Sequence, residues 1–105
     1  MAREKIELSF YDKTYTIEYN RASIKEVLKH ESDQDEADKI VALIRSGLLI
    51  NHKDNMPSDD EIFGWIVAMG DEAKEFAEAL QEMVQDVLNT FESDRKNLKW
   101  AKVKA

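Results

Sequence analysis

"IELSFYDKTYTIEYN", residues 6–20, decides how this chain is to be read. Apolar and polar residues alternate through Ile6, Leu8 and Phe10, pause at Asp12 and Lys13, and resume through Tyr15, Ile17 and Tyr19. A period of two places successive side chains on opposite faces of a strand, so the stretch predicts a β-hairpin over residues 5–19. A two-residue loop at Asp12 and Lys13 would pair Phe10 with Tyr15, Leu8 with Ile17 and Ile6 with Tyr19. All six large side chains then share one face, and cross-strand pairs of this kind stabilise sheets. Glu7, Ser9, Thr14, Thr16 and Glu18 fall on the other face, which suits water. Asp-Lys lacks the Asn-Gly or Asp-Gly signature of a tight primed turn, so a slightly longer loop is equally open. A hairpin alone is marginal in water. This one must lean on the chain's own helices or on another molecule.

Four helical segments follow. Asn20 or Ser23 can cap the first, about 21–30, and Ser23 with Glu26 has the capping-box spacing; Ile24, Val27 and Leu28 are its inward residues. "ESDQDEAD" crowds five acids into eight residues and reads as a solvated loop that turns into a helix start near Asp35. The second helix, about 36–51, places Ala37, Ile40, Val41, Ile44 and Leu48 at helical spacing. Pro57 discourages helix at Met56, and Ser58 with Glu61 offers another capping box for a third helix over 59–69. That helix is apolar nearly all round, which predicts a place at the centre of the core. Gly70 and Asp71 form a stop and a start. The fourth helix, about 72–91, carries Ala73, Phe76, Ala77, Leu80, Met83, Val84, Val87, Leu88 and Phe91 on one side and Glu75, Glu78, Glu82 and Asp86 on the other. Residues 92–105 lose this period and read as an extended or disordered tail. The order of elements predicts an α+β fold, a hairpin laid on a compact bundle of about four helices, forming one globular domain over residues 1–91.

Composition bounds the function. Apolar residues make up 43% of the 105 and charged residues 35%, a globular balance. Cysteine is absent, which removes disulfides, thiolate metal sites and cysteine nucleophiles together. No apolar run approaches the length that spans a bilayer, and "MAREKIELSF" lacks the apolar stretch of a secretory signal. No membrane association is expected. The net charge of −7 is unevenly placed. Residues 1–91 carry ten Lys/Arg against twenty Asp/Glu, while residues 92–105 carry five against two. An acidic body repels phosphate backbones, so it is not expected to bind nucleic acid.

No catalytic constellation is visible. His30 and His52 each sit beside acids, and His30, Asp33 and Asp35 are the one combination that could be tried as a metal site, but neither histidine has a second ligand at H-E-x-x-H spacing. "DQDEADKIVALI" fails as a calcium loop, with Asp38 in place of the required glycine and Ile44 in place of the bidentate glutamate. Glycine-rich phosphate loops and nucleophile elbows are missing. Neither metal nor cofactor is expected. The acidic stripe of the fourth helix is either its wet side or a docking surface for a basic partner. Trp65 reads as core. Trp100 stands among lysines, and either folds back on the bundle or contacts another chain, as tryptophans at interfaces do.

"KIELSFYDKTYTIEYNRASIKEVLKH" and the later "NLKW" resemble the small tail assembly chaperones of long-tailed bacteriophages and prophages, especially those of Gram-positive hosts. The likeness lies in a short hairpin running through Asn20 and Arg21 into a helix, and in the helical body behind it. It implies a non-enzymatic factor of the host cytoplasm that coats the tape measure protein, keeps it soluble and helps recruit tail tube subunits. Family members bring no catalytic residues to carry over. A chaperone for apolar helices needs an amphipathic groove or a spare strand edge, and charge to stay soluble. Thr14, Thr16, Glu18 and Arg21 at the hairpin, with Leu98 and Trp100 in the tail, are therefore the candidate partner-binding residues. Self-association through the hairpin's edges is a linked expectation. The competing reading is a small acidic inhibitor or DNA mimic from a mobile element, which draws on the charge of −10 over residues 1–91.

Overall fold

A computed structural model describes residues 4–29, 35–91 and 97–103. It has the α+β architecture of a hairpin followed by helices: β1 (Ile6–Phe10), β2 (Lys13–Ile17), α1 (Arg21–Lys29), α2 (Glu36–His52), a 3-10 turn (Lys53–Asn55), α3 (Asp59–Met69) and α4 (Glu72–Asn89). The two strands form an antiparallel sheet. Their register is displaced by two residues from the expected one, with Phe10 opposite Lys13, Leu8 opposite Tyr15 and Ile6 opposite Ile17. A shift of two keeps every side chain on its predicted face, whereas a shift of one would have reversed them all. The turn therefore lies at Tyr11 and Asp12, and Tyr11 takes a positive φ of 57° in place of the expected loop at Asp12 and Lys13. Tyr19 is released from the ladder.

That release lets Tyr19 serve as an anchor. It is buried against α2, and its hydroxyl donates to the Leu43 carbonyl at 2.6 Å. Gly47 makes the contact possible: a Cβ built there would lie 2.5 Å from Ile17 Cγ2 and 2.9 Å from Tyr19 Cζ. The Gly47 carbonyl also accepts from the Glu18 N–H at 2.9 Å, so the chain beyond β2 is bonded sideways to a helix. Leu8, Tyr15 and Ile17 are buried beneath the sheet, with Ile6 and Phe10 packed at its margin. Tyr15 and Trp65 place their ring centroids 4.9 Å apart, tying the hairpin to α3 as well.

The central helix is α2, which packs against β2, α1, α3 and α4. Val41, Ala42, Leu43, Ile44, Ser46, Gly47 and Leu48 are all buried. The buried Ser46 hydroxyl is satisfied by the Ala42 carbonyl at 2.7 Å. The expectation that α3 occupies the centre is corrected. Only Ile62 and Trp65 of α3 are buried, and Phe63 and Val67 face outward. It packs chiefly against α2 and α4, with the hairpin touching Trp65, so the outer side of a helix that is apolar from Ile62 to Met69 is left uncovered. Leu28, expected inward on α1, is also exposed. On α4 Leu80, Met83 and Val84 are buried and Glu75, Glu78, Glu82 and Asp86 exposed, as predicted, but the helix ends at Asn89 and Phe91, expected on its inward side, is exposed.

Polar residues set the helix boundaries. At α1 it is Asn20 that caps, its Oδ1 accepting from the Ser23 N–H at 2.9 Å and the Ser23 hydroxyl at 3.1 Å. Ser23 lies inside the helix and is fully buried. Asp35 caps α2 through Ala37 N at 2.8 Å, and Ser58 caps α3 through Glu61 N at 3.2 Å. Gly70 closes α3 at φ 59°, a left-handed conformation that favours glycine. Residues 1–3, 30–34, 92–96 and 104–105, with His30 and Asp33 of the tried metal combination among them, lie outside the described residues.

Gly47→Ala should lower stability by about 1–3 kcal/mol, the cost of overpacking. Gly64→Ala should raise it by up to ~1 kcal/mol through helix propensity, because a Cβ there meets nothing. Urea titrations of the two variants check the opposite signs. Burial pushes the Tyr19 phenol above its ordinary range. The unfolded chain then ionises this group first, so its contribution is complete below about pH 10 and declines as pH rises beyond that. The stability advantage of wild type over Tyr19→Phe, about 1 kcal/mol at neutral pH, should therefore shrink on going to about pH 11. A constant difference would contradict the assignment.

Candidate functional site

The candidate residues of the hairpin are divided by the docking on α2. In an antiparallel pair the residues whose N–H and C=O groups point away from the partner strand alternate with those bonded to it. Thr16 is one of the outward set, because its N–H donates to His52 Nε2 at 2.9 Å. The acceptor role of Nε2 places the imidazole proton on Nδ1, which lies 3.2 Å from Asn55 Oδ1. Glu18 is also engaged twice, by its N–H to Gly47 and by its carboxylate, which accepts from Asn51 Nδ2 at 2.7 Å. It is 9% exposed, a correction to its place on a water-facing side. α2 thus takes up two successive outward amides, Thr16 in β2 and Glu18 just beyond it. Across the sheet, Glu7 faces Thr16 and Ser9 faces Thr14, so the outward backbone groups of β1 at Glu7 and Ser9 form the open edge. Thr14 is exposed and pairs through its hydroxyl with Ser9 at 3.2 Å.

A second surface was not foreseen as a whole. Between α1, α2 and α4 lies an apolar groove of about 400 Å³, floored by Ile24, Val27, Leu43, Val84 and Leu88. Leu28 forms one wall and is 53% exposed. The groove continues past Ile24 and Leu88 into a shallower hollow of about 320 Å³ that ends at Arg21 and Phe91. The Arg21 guanidinium sits over the Phe91 ring, 5.5 Å from its centroid. Arg21, Lys25 and Lys39 give this surface a basic rim. Helical spacing of Ile24, Val27 and Leu28 on α1, and of Val84 and Leu88 on α4, is the signal for its walls. Their failure to meet could not be read from periodicity.

The third surface is a wider cleft of about 870 Å³ between α1, α2 and α3, bordered by Glu26, Asp38, Asp59, Asp60, Arg45 and Phe63. Arg45 pairs with Asp59, and Glu26 with Lys29 at 2.8 Å. Leu98 and Trp100 stand exposed in a segment without helix or strand, Trp100 being 86% exposed. The six candidate residues accordingly do not converge: Thr14, Thr16 and Glu18 belong to the hairpin, Arg21 to the groove's end, and Leu98 and Trp100 to the tail.

Among the described residues no group of three or more His, Asp or Glu side chains comes together in a way that could hold a metal ion. No helix among them is long and apolar enough to cross a membrane. Comparison with protein-family models, curated proteins and solved structures finds no significant match. The closure of β2 has a measurable consequence: Asn51→Ala leaves a buried carboxylate without its donor and should cost about 1–3 kcal/mol. A urea midpoint equal to that of wild type would show the bond to be dispensable.

Proposed function

We propose that this protein is a non-enzymatic assembly chaperone of the kind that serves long-tailed bacteriophages, holding apolar helices of the tape measure protein in solution before the tail tube forms around them. The observation that carries this reading is the open apolar groove between α1, α2 and α4. An amphipathic helix recognised in a groove presents anchors at i, i+3, i+4 and i+7. Leu28, Val27, Ile24 and Leu88 offer an apolar strip of matching character, and the basic rim of Arg21, Lys25 and Lys39 favours a client whose polar side is acidic. The exposed carboxylates of α4 keep the loaded complex soluble in the host cytoplasm. No cofactor enters this mechanism. Tail tube subunits are the natural second partner, and the open edge of β1 is a surface on which one could add a strand.

The competing reading, an acidic inhibitor that mimics nucleic acid, rests on the acidic cleft beside α3. The two readings differ in physics. Exposed charge pairs weaken steeply with salt, while burial of apolar surface does not. Co-expression with the tape measure protein of the same gene cluster should bring that client into the soluble fraction as a salt-resistant complex. Leu28→Glu should abolish the rescue while leaving helical content and melting unchanged, because Leu28 is already exposed. A client that stays insoluble, or a complex indifferent to Leu28→Glu, would overturn the assignment.

A further inference from the structure

The outer face of α3 and the segment 97–103 are both apolar, both exposed, and opposite in charge. Phe63 and Val67, four residues apart and hence on one helix face, are 46% and 64% exposed. Gly64 beside them has open space where a Cβ would be. Asp59 and Asp60 stand at the head of this face, and the cleft next to it adds Asp38 and Glu26. Arg45 and Lys29 offset Asp59 and Glu26, which leaves Asp38 and Asp60 as carboxylates with no cationic partner among the described residues. The segment 97–103 reads "NLKWAKV" and carries Lys99 and Lys102 with no acid. Leu98, Trp100 and Val103 are all exposed. A helix face with Phe63 and Val67 uncovered and an exposed tryptophan in a basic segment are each an unmet need for cover. They complement one another.

We propose that residues 97–103 of one copy dock on the outer face of α3 of a second copy. In extended conformation Leu98 and Trp100 project from the same side, about 7 Å apart. Phe63 and Val67 are separated along α3 by about 6 Å, so the two pairs can interlock. The full reach from Leu98 to Val103, about 16 Å when extended, equals the length of the helix, about 16 Å for its eleven residues. Lys99 and Lys102 bring the positive charge that the Asp60 and Asp38 side of this face lacks. A second copy is the occupant because the single chain shows this segment exposed throughout residues 97–103. The contact joins different surfaces on the two copies. It is heterologous, and repetition builds rings or open chains rather than a closed symmetric dimer. The surface used is separate from the α1, α2 and α4 groove, and the inference stands independently of the client bound there.

Sedimentation of the full chain over a range of concentration and salt tests this. Wild type should self-associate, more weakly at high salt because the charges involved are exposed. Trp100→Ala should weaken association by roughly tenfold or more, as loss of an aromatic anchor does. Phe63→Glu should do the same, with Val67→Glu as the second face variant, each with unchanged circular dichroism. The decisive sample is an equimolar mixture of Trp100→Ala and Phe63→Glu. One supplies an intact face and the other an intact segment, so the mixture should form a one-to-one dimer that grows no further. A wild type that stays monomeric, an association untouched by these variants, or a mixture that fails to pair would each overturn the proposal. A synthetic peptide of residues 97–103 should also shift the amide resonances of α3; shifts confined elsewhere would count against it.

Discussion

A backbone approach that only a residue without a side chain permits holds this fold together. At Gly47 the end of β2 lies so close to α2 that a methyl group would overlap Ile17 and Tyr19. In that space the Glu18 N–H reaches a helix carbonyl, and the Tyr19 hydroxyl reaches another one turn away. A hairpin of two five-residue strands cannot stand alone. Here it gains an apolar floor, a lateral hydrogen bond and a buried aromatic anchor in the space of three residues. The consequence is that α2, packed against β2, α1, α3 and α4, becomes the axis around which the other elements are arranged.

The same arrangement determines which surfaces remain open. Because α2 takes the middle, α1 and α3 lie on its flanks and are covered only in part. Leu28 is left on one flank, Phe63 and Val67 on the other. The edge of β2 is consumed internally by His52 and Gly47, while β1 keeps its outward groups. Three surfaces of different chemistry result: an apolar groove with a basic rim, an acidic cleft beside an apolar helix face, and one strand edge. Their separation leaves each surface accessible without covering the others.

Much of the fold was legible because it depends on local pattern. Alternation gave the hairpin, and helical spacing with capping residues gave four helices whose ends fall at Asp35, Ser58 and Gly70. Register was missed by two residues because period-two alternation is unchanged by such a shift, and Tyr11 is not a residue that advertises a positive φ. The centrality of α2 was missed for a related reason. Hydropathy marks α3 as the more apolar helix, yet position is decided by how many neighbours can approach, and a glycine at position 47 is what admits the hairpin. Glu18 was read as solvent-facing because its partner, Asn51, lies 33 residues away. The grooves were illegible as sites: each wall is an ordinary amphipathic stripe, and only the packing shows where stripes fail to meet.

Amide hydrogen exchange, resolved residue by residue in the free protein, tests the central claim that β2 is fastened to α2 while β1 stays open. The account predicts that the Thr16 and Glu18 amides are protected to nearly the same degree as the core of α2, whereas the Glu7 and Ser9 amides exchange as solvent-exposed groups. Rapid exchange at Thr16 and Glu18, indistinguishable from that at Glu7 and Ser9, would contradict it.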